Sequence, residues 1–232
     1  MNTIQYKFLL QRAATLLSVA ILTLALVAAL SGLLVGFNYQ PAAGKAYDSV
    51  QWIATQLTSG RLILGLHQWA GNGLIIAGLV QIPILFLGRQ ARRSWFTAWV
   101  SGFALTACAI ALGWTAMILP WDQLGFWRLR VELSTLGSLP ILGTLINQVL
   151  LGGGGMDTRA LVHFYAIHSY ILSLVAIGLA LTHLIALVVH EQQERDAVLQ
   201  QLERLVDDAE VATEAATQAE SGSEVDPVTS QG

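Results

Sequence analysis

Charge is scarce in this chain and cysteine almost absent. Of 232 residues only 12% are Asp, Glu, Lys or Arg, where an ordinary soluble protein carries about a quarter. The one cysteine, Cys108, excludes an internal disulfide, a cysteine zinc site and a CxxCH haem attachment. No basic stripe or finger motif is present, and the C-terminal charge is acidic, which argues against a nucleic-acid partner. Nor is there an alternating ten-residue strand pattern, so a membrane-embedded backbone must be satisfied by helices.

Hydrophobic residues make up 54% of the chain, and they lie in long stretches without charge. Residues 13–44, 62–88, 94–121 and 160–190 contain no Asp, Glu, Lys or Arg. Crossing a bilayer as a helix takes about 20 apolar residues, so each run suffices. The sequence predicts an all-α integral membrane four-helix bundle with spans at about 13–37, 63–87, 96–119 and 161–189. The apolar run after Arg12 lacks an A-x-A-like cleavage site and is read as a retained span, not a targeting signal. Buried helices of a soluble protein are the weaker alternative.

The remaining charge is divided by position. Residues 1–190 hold ten Lys/Arg against four Asp/Glu, and residues 191–232 hold two against eleven, which together give the net charge of −3. Lys7, Arg12 and the loop residues Arg89, Arg92 and Arg93 place both termini and the second loop on the cytoplasmic or stromal side. The expected organisation is an N-terminal amphipathic segment at 1–12, the membrane domain at 13–190, a charged helix at 191–208 and a disordered acidic tail at 209–232. Two short amphipathic helices, at 124–136 and 139–151, are expected on the outer surface between the third and fourth spans.

Histidine within a span is costly and points to function. The second span carries His67, and the fourth carries His168 and His183. These spans run in the same direction. His67 and His168 therefore share a depth near the outer surface, and His183 lies roughly 22 Å deeper at 1.5 Å per residue. Opposite His183 on the second span is Gln81. A haem between helices needs an imidazole from each side at one depth, which the outer pair provides. Interhelical hydrogen bonding or a proton-relay transporter are the alternatives, the latter weakened by the absence of intramembrane Asp, Glu, Lys and Arg.

Several segments together resemble the cytochrome b family, in particular the short b6 form. They are Gly32-Leu33-Leu34-Val35-Gly36-Phe37-Asn38-Tyr39-Gln40-Pro41 with Ala46-Tyr47-Asp48-Ser49-Val50, and His67 with Trp69. Then come Leu119-Pro120-Trp121-Asp122-Gln123-Leu124-Gly125-Phe126-Trp127, Leu139-Pro140-Ile141-Leu142-Gly143, and Phe164-Tyr165-Ala166-Ile167-His168. The resemblance covers about residues 10–190, and the 15-residue interval from His168 to His183 matches the b6 form.

The resemblance implies a membrane electron-transfer subunit that exchanges electrons with quinone or quinol in a respiratory or photosynthetic complex. It would belong to a bacterial inner membrane or a thylakoid and would not be an enzyme alone. One haem b is implied on His67 and His168, with Gly32 and Gly102 as close-packing positions. Pro120, Trp121, Phe126, Trp127 and Arg128 correspond to one wall of an outer quinol pocket. A membrane polypeptide similar to subunit IV would supply the opposite wall. A Rieske iron–sulfur protein, a c-type cytochrome and a dimeric complex complete the implied partners.

This sequence also departs from the family pattern. Gln81 and Ile84 stand where a histidine ligand and a propionate-binding arginine are usual. Leu64, Gln68 and His163 replace basic residues around the outer haem, with Arg61 or Arg159 as candidate substitutes. Arg128 replaces a small residue of the quinol pocket, and Ser18 and Ala116 replace glycines. The inner level is left with three states: a five-coordinate haem on His183, an empty site with His183 bonded to Gln81, or a haem ligated by His–Gln or His–water. No helix-A cysteine is present for a covalent extra haem. His190 is either an inner proton donor or an interfacial residue without a role, and Cys108 is read as a packing residue. A non-catalytic haem-binding assembly or sensing subunit is the competing functional reading.

Overall fold

The structure, a computed structural model, describes residues 3–88 and 95–223. Its helices are α1 (Thr3–Gly36), α2 (Ala46–Thr55), α3 (Gly60–Leu87), α4 (Phe96–Ala116), α5 (Gln123–Gly137), α6 (Gly143–Leu151), α7 (Thr158–Ala166) and α8 (Ser173–Ser223). A π-helical segment, Ile167–Leu172, joins α7 to α8. Four stretches are long and apolar enough to cross a membrane: Phe8–Gly36, Gly60–Leu87, Phe96–Ala116 and Thr158–Ala216. The chain is thus an all-α multi-pass membrane protein. Only 17% to 39% of each apolar window is buried by protein, which leaves the remaining apolar surface for lipid or neighbouring membrane protein to cover.

The inward faces carry small residues at helical spacing. Ala14, Ser18, Ile21 and Ala25 are buried on α1, and Ala98, Ser101, Gly102, Leu105, Cys108 and Ala109 on α4. Ala176 and Ala180 continue the pattern on α8. Lipid tails are as apolar as leucine, so bundle association depends on close van der Waals packing, which small side chains permit. The largest interface runs between α1 and α3, α3 also packs on α4, and α4 meets the π segment.

The described helices extend or refine the expected ones. Of the segment expected at 1–12, residues 3–12 are continuous with the first span, because α1 begins at Thr3. Helix α2 was not anticipated, although Ala46, Ser49 and Ile53 form its buried face. The surface helices are present as α5 and α6, the second beginning at Gly143 instead of residue 139. Helix α8 runs through Ser223, past residue 208, where the sequence suggested an end. Residues 209–219 are rich in Ala, Glu and Gln, all good helix formers. Residues 189–232 form a compact unit separate from 1–188. The basic connection with Arg89, Arg92 and Arg93, and the last nine residues, lie outside the described residues.

Tyr39 pins the exit of α1 to the entrance of α5. Its hydroxyl donates to the Leu119 carbonyl at 2.6 Å, and its ring lies 5.3 Å from that of Tyr165. Burial, then the neighbouring Tyr165, pushes the Tyr39 phenol above its ordinary pKa of 10. Above that pH the unfolded chain gives up a proton that the folded chain keeps, so the contribution is complete below pH 10 and lost as pH rises. Tyr39→Phe is expected to flatten the alkaline limb of a thermal-stability profile. At neutral pH it should cost about 1 kcal/mol, because the Leu119 carbonyl loses its partner.

Candidate functional site

At the outer level α3 presents His67 and the π segment presents His168, with ring centres 6.2 Å apart and ring planes at 70°. His67 Nδ1 lies 2.9 Å from the Ala28 carbonyl of α1. A carbonyl can only accept, so Nδ1 carries the proton. His168 Nδ1 is 2.8 Å from Thr115 Oγ1. That hydroxyl spends its own hydrogen on the Ala111 or Leu112 carbonyl, so His168 Nδ1 must be the donor. Both imidazoles therefore keep a lone pair on Nε2, and among the described residues neither Nε2 has a hydrogen-bond partner.

This pair fits a bis-histidine haem. Two imidazoles held on opposite sides of one iron through bonds of about 2 Å would have ring centres a little over 6 Å apart, close to the 6.2 Å observed. Gly32 supplies the cradle: a Cβ added there would lie 2.8 Å from His67 Cε1. Both histidines are partly exposed.

The π segment sets the helical phase of the fourth span. Fourteen residues separate His67 from Gln81, and fifteen separate His168 from His183. At about 100° per residue, fourteen residues end roughly 40° short of four turns and fifteen roughly 60° beyond. A π turn absorbs one residue, so the two strips regain the same phase and the same depth interval, about 21 Å. The unequal counts were the sequence signal for this bulge. Cys108, on α4, donates its thiol to the Leu172 carbonyl at the end of the π segment.

The inner level is built differently. Gln81 Nε2 lies 3.1 Å from the Ala14 carbonyl and 3.1 Å from His183 Nε2. His183 Nδ1 lies 2.9 Å from the Ala98 carbonyl and 3.1 Å from Ser101 Oγ. Gln81 is 2% exposed and His183 fully buried. A Cβ on Gly102 would come within 2.9 Å of His183 Cε1. As arranged, these residues do not fit a haem between them. Their nearest atoms are hydrogen-bonded to each other at 3.1 Å, too close to hold a metal from opposite sides through bonds of about 2 Å each.

At the start of α5, Trp121, Asp122, Gln123, Phe126 and Trp127 line a concavity of about 250 Å³. Asp122 caps α5 by accepting from the Gly125 amide at 2.7 Å. Phe126 meets both Trp121 and Trp127 edge-on at 5.6 Å. Pro120 adjoins this wall in the chain, whereas Arg128 is engaged elsewhere. Its Nε donates to Glu132 at 2.7 Å, and its guanidinium contacts the Met117 sulfur. Glu132 also accepts from Trp114 Nε1 at 2.7 Å. Sequence reasoning missed Glu132, and its i,i+4 spacing from Arg128 was the available signal. His190 belongs to the 189–232 unit.

Residues 8–193 match the family model described as cytochrome b/b6/petB. The chain belongs to the cytochrome b family. Relatives include "Cytochrome b6" of Emiliania huxleyi, 31% identical over 164 residues, covering 71% of this chain and 76% of the relative. "Cytochrome b6" of Chlamydomonas reinhardtii is 30% identical over 158 residues, covering 68% and 74%. Among solved structures, a chain of a "Hyperthermophilic respiratory Complex III" aligns with a TM-score of 0.63 at 20% identity, over 75% of this chain and 47% of that one. That likeness shows the shared fold, and this chain spans about half the length of its structural neighbour. As a family member, the chain is a cytochrome b-type electron-transfer subunit of the membrane.

Proposed function

We propose that this subunit binds one haem b at the outer level through His67 and His168 and exchanges electrons with quinol or quinone there. The observation that carries the proposal is the pair of facing imidazoles, 6.2 Å apart, each with Nδ1 tied and Nε2 free. A bound haem supplies a one-electron couple. The Ala28 carbonyl and Thr115 hydroxyl hold each imidazole in the tautomer that presents Nε2. The Trp121–Phe126–Trp127 wall offers an apolar surface for a quinol ring. Trp127 is 53% exposed and Leu124 78% exposed, which suits a second membrane polypeptide, similar to subunit IV, closing the other side. A Rieske protein and a c-type cytochrome would accept electrons from such an assembly, in a dimeric complex with both termini of this chain cytoplasmic or stromal.

In this reading Glu132 keeps the Arg128 charge out of the quinol space. Glu132→Gln is expected to free the guanidinium and slow quinol-driven haem reduction several-fold. Stability should change little, because an i,i+4 surface pair contributes about 0.3–0.5 kcal/mol. The test uses the complex purified from its native membrane, with the haem absorbance followed anaerobically after quinol is added. Reduction by quinol within the preparation's turnover time is expected. Reduction by dithionite alone would refute quinone exchange.

A further inference from the structure

The two levels of the bundle can be compared directly, because they lie on the same pair of spans. At the outer level neither imidazole Nε2 has a hydrogen-bond partner among the described residues, and both histidines are partly exposed. Inside, every strong donor at the contact is used. The orientation of the Gln81 amide follows from its neighbours. The atom facing the Ala14 carbonyl must be a donor, so it is the nitrogen, and its second hydrogen is directed to His183 Nε2. His183 Nε2 then accepts and its Nδ1–H donates to the Ala98 carbonyl, shared with Ser101 Oγ. Ser101 can accept there, because its own hydroxyl hydrogen goes to the Thr97 carbonyl at 2.7 Å.

The backbone of α1, the side chains of α3 and α8, and both kinds of group on α4 thus meet at one point. The lone pair that a haem iron would need on His183 is already occupied. Around the contact lies an apolar shell of Ala14, Leu85, Trp95, Ala98, Ala186 and Leu187, with Ile84 packed against it. In such a shell a released amide or imidazole would be left without water, so the bonds are strongly retained.

We propose that Gln81 and His183 form a polar clasp that excludes haem from the inner level and holds the four spans together there. The chain then carries haem only at the outer level, which rests on the reading of the His67–His168 pair above. An electron taken up on the outer side has no second haem about 21 Å deeper in this chain. It leaves on the side where it entered, or through another subunit, and this subunit distributes electrons along one membrane face instead of passing them across.

The test is haem quantitation by pyridine haemochrome, with electron paramagnetic resonance and thermal unfolding, on the purified wild-type complex and three variants of this chain. One low-spin haem per chain is expected in the wild type and in His183→Ala, and none in His67→Ala; Gln81→Leu, which offers no ligand of its own, should keep the outer low-spin haem. Both clasp variants are expected to unfold several degrees lower, because each leaves buried polar groups without the partners the contact supplied. Gln81→Leu removes the amide without adding a ligand and serves if His183→Ala does not accumulate. Two haems in the wild type, or a high-spin signal that disappears with His183→Ala, would overturn the clasp while leaving the outer site intact. No haem in the wild type would refute the outer site alone, and the unfolding shift would still decide the clasp. Unchanged unfolding in both clasp variants would also overturn it.

Discussion

Replacing His67 with alanine is expected to remove the haem, and His168→Ala should do the same. Each substitution takes away one of the two Nε2 donors that the structure leaves unbonded, and no other histidine lies at that depth to replace it. The supporting contacts predict a graded series. Thr115→Val removes the acceptor for His168 Nδ1–H, found at 2.8 Å, without touching the ligating nitrogen. Loss of such a supporting hydrogen bond typically weakens metal binding about 10–100-fold, and loss of the ligand itself should weaken it further. Haem titration of the purified variants therefore should rank wild type first, Thr115→Val intermediate, and His67→Ala or His168→Ala last. A His67→Ala protein that retained a full haem complement would place the cofactor elsewhere.

The membrane spans were legible because their cause is simple: charge cannot be placed cheaply in hydrocarbon, and its absence over four long runs is visible by inspection. The outer pair was legible as well, because two spans running in the same direction make depth a matter of counting. Counting failed where the helix departs from α geometry. The π segment at Ile167–Leu172 depends on how α4 meets the fourth span, and one extra residue between histidines was its only trace. Helix α2 was missed because ten residues give too few turns for a clear periodicity, although Ala46, Ser49 and Ile53 were correctly spaced. Arg128 was considered in the sequence without Glu132, four residues on, whose carboxylate pairs with it at 2.7 Å. At the inner level the sequence left three states open. Only the positions of Ala14, Ala98 and Ser101, brought together from separate helices, show that Gln81 Nε2 and both His183 ring nitrogens are bonded, while the buried Gln81 Oε1 has no partner among the described residues.

The two glycine positions offer a comparison between levels within one protein. Gly32→Ala places a Cβ 2.8 Å from His67 Cε1, and Gly102→Ala places one 2.9 Å from His183 Cε1. Local helix propensity favours both changes, since alanine is better than glycine by about 1 kcal/mol inside a helix. Any loss must therefore come from the contact with the imidazole. His67 can yield only by turning its ring, which strains the bond to the Ala28 carbonyl and moves Nε2 off the line to its partner. Gly32→Ala is accordingly expected to lower haem occupancy at least about tenfold at limiting haem, in the range of a lost supporting contact. Gly102→Ala should leave the haem count unchanged and lower the unfolding temperature, because its contact reaches only the clasp. Haem stoichiometry and thermal unfolding measured on both variants separate the two effects. Equal haem loss in both would mean that the inner histidine also holds cofactor. No loss in Gly32→Ala would mean that His67 has more freedom than its packing allows.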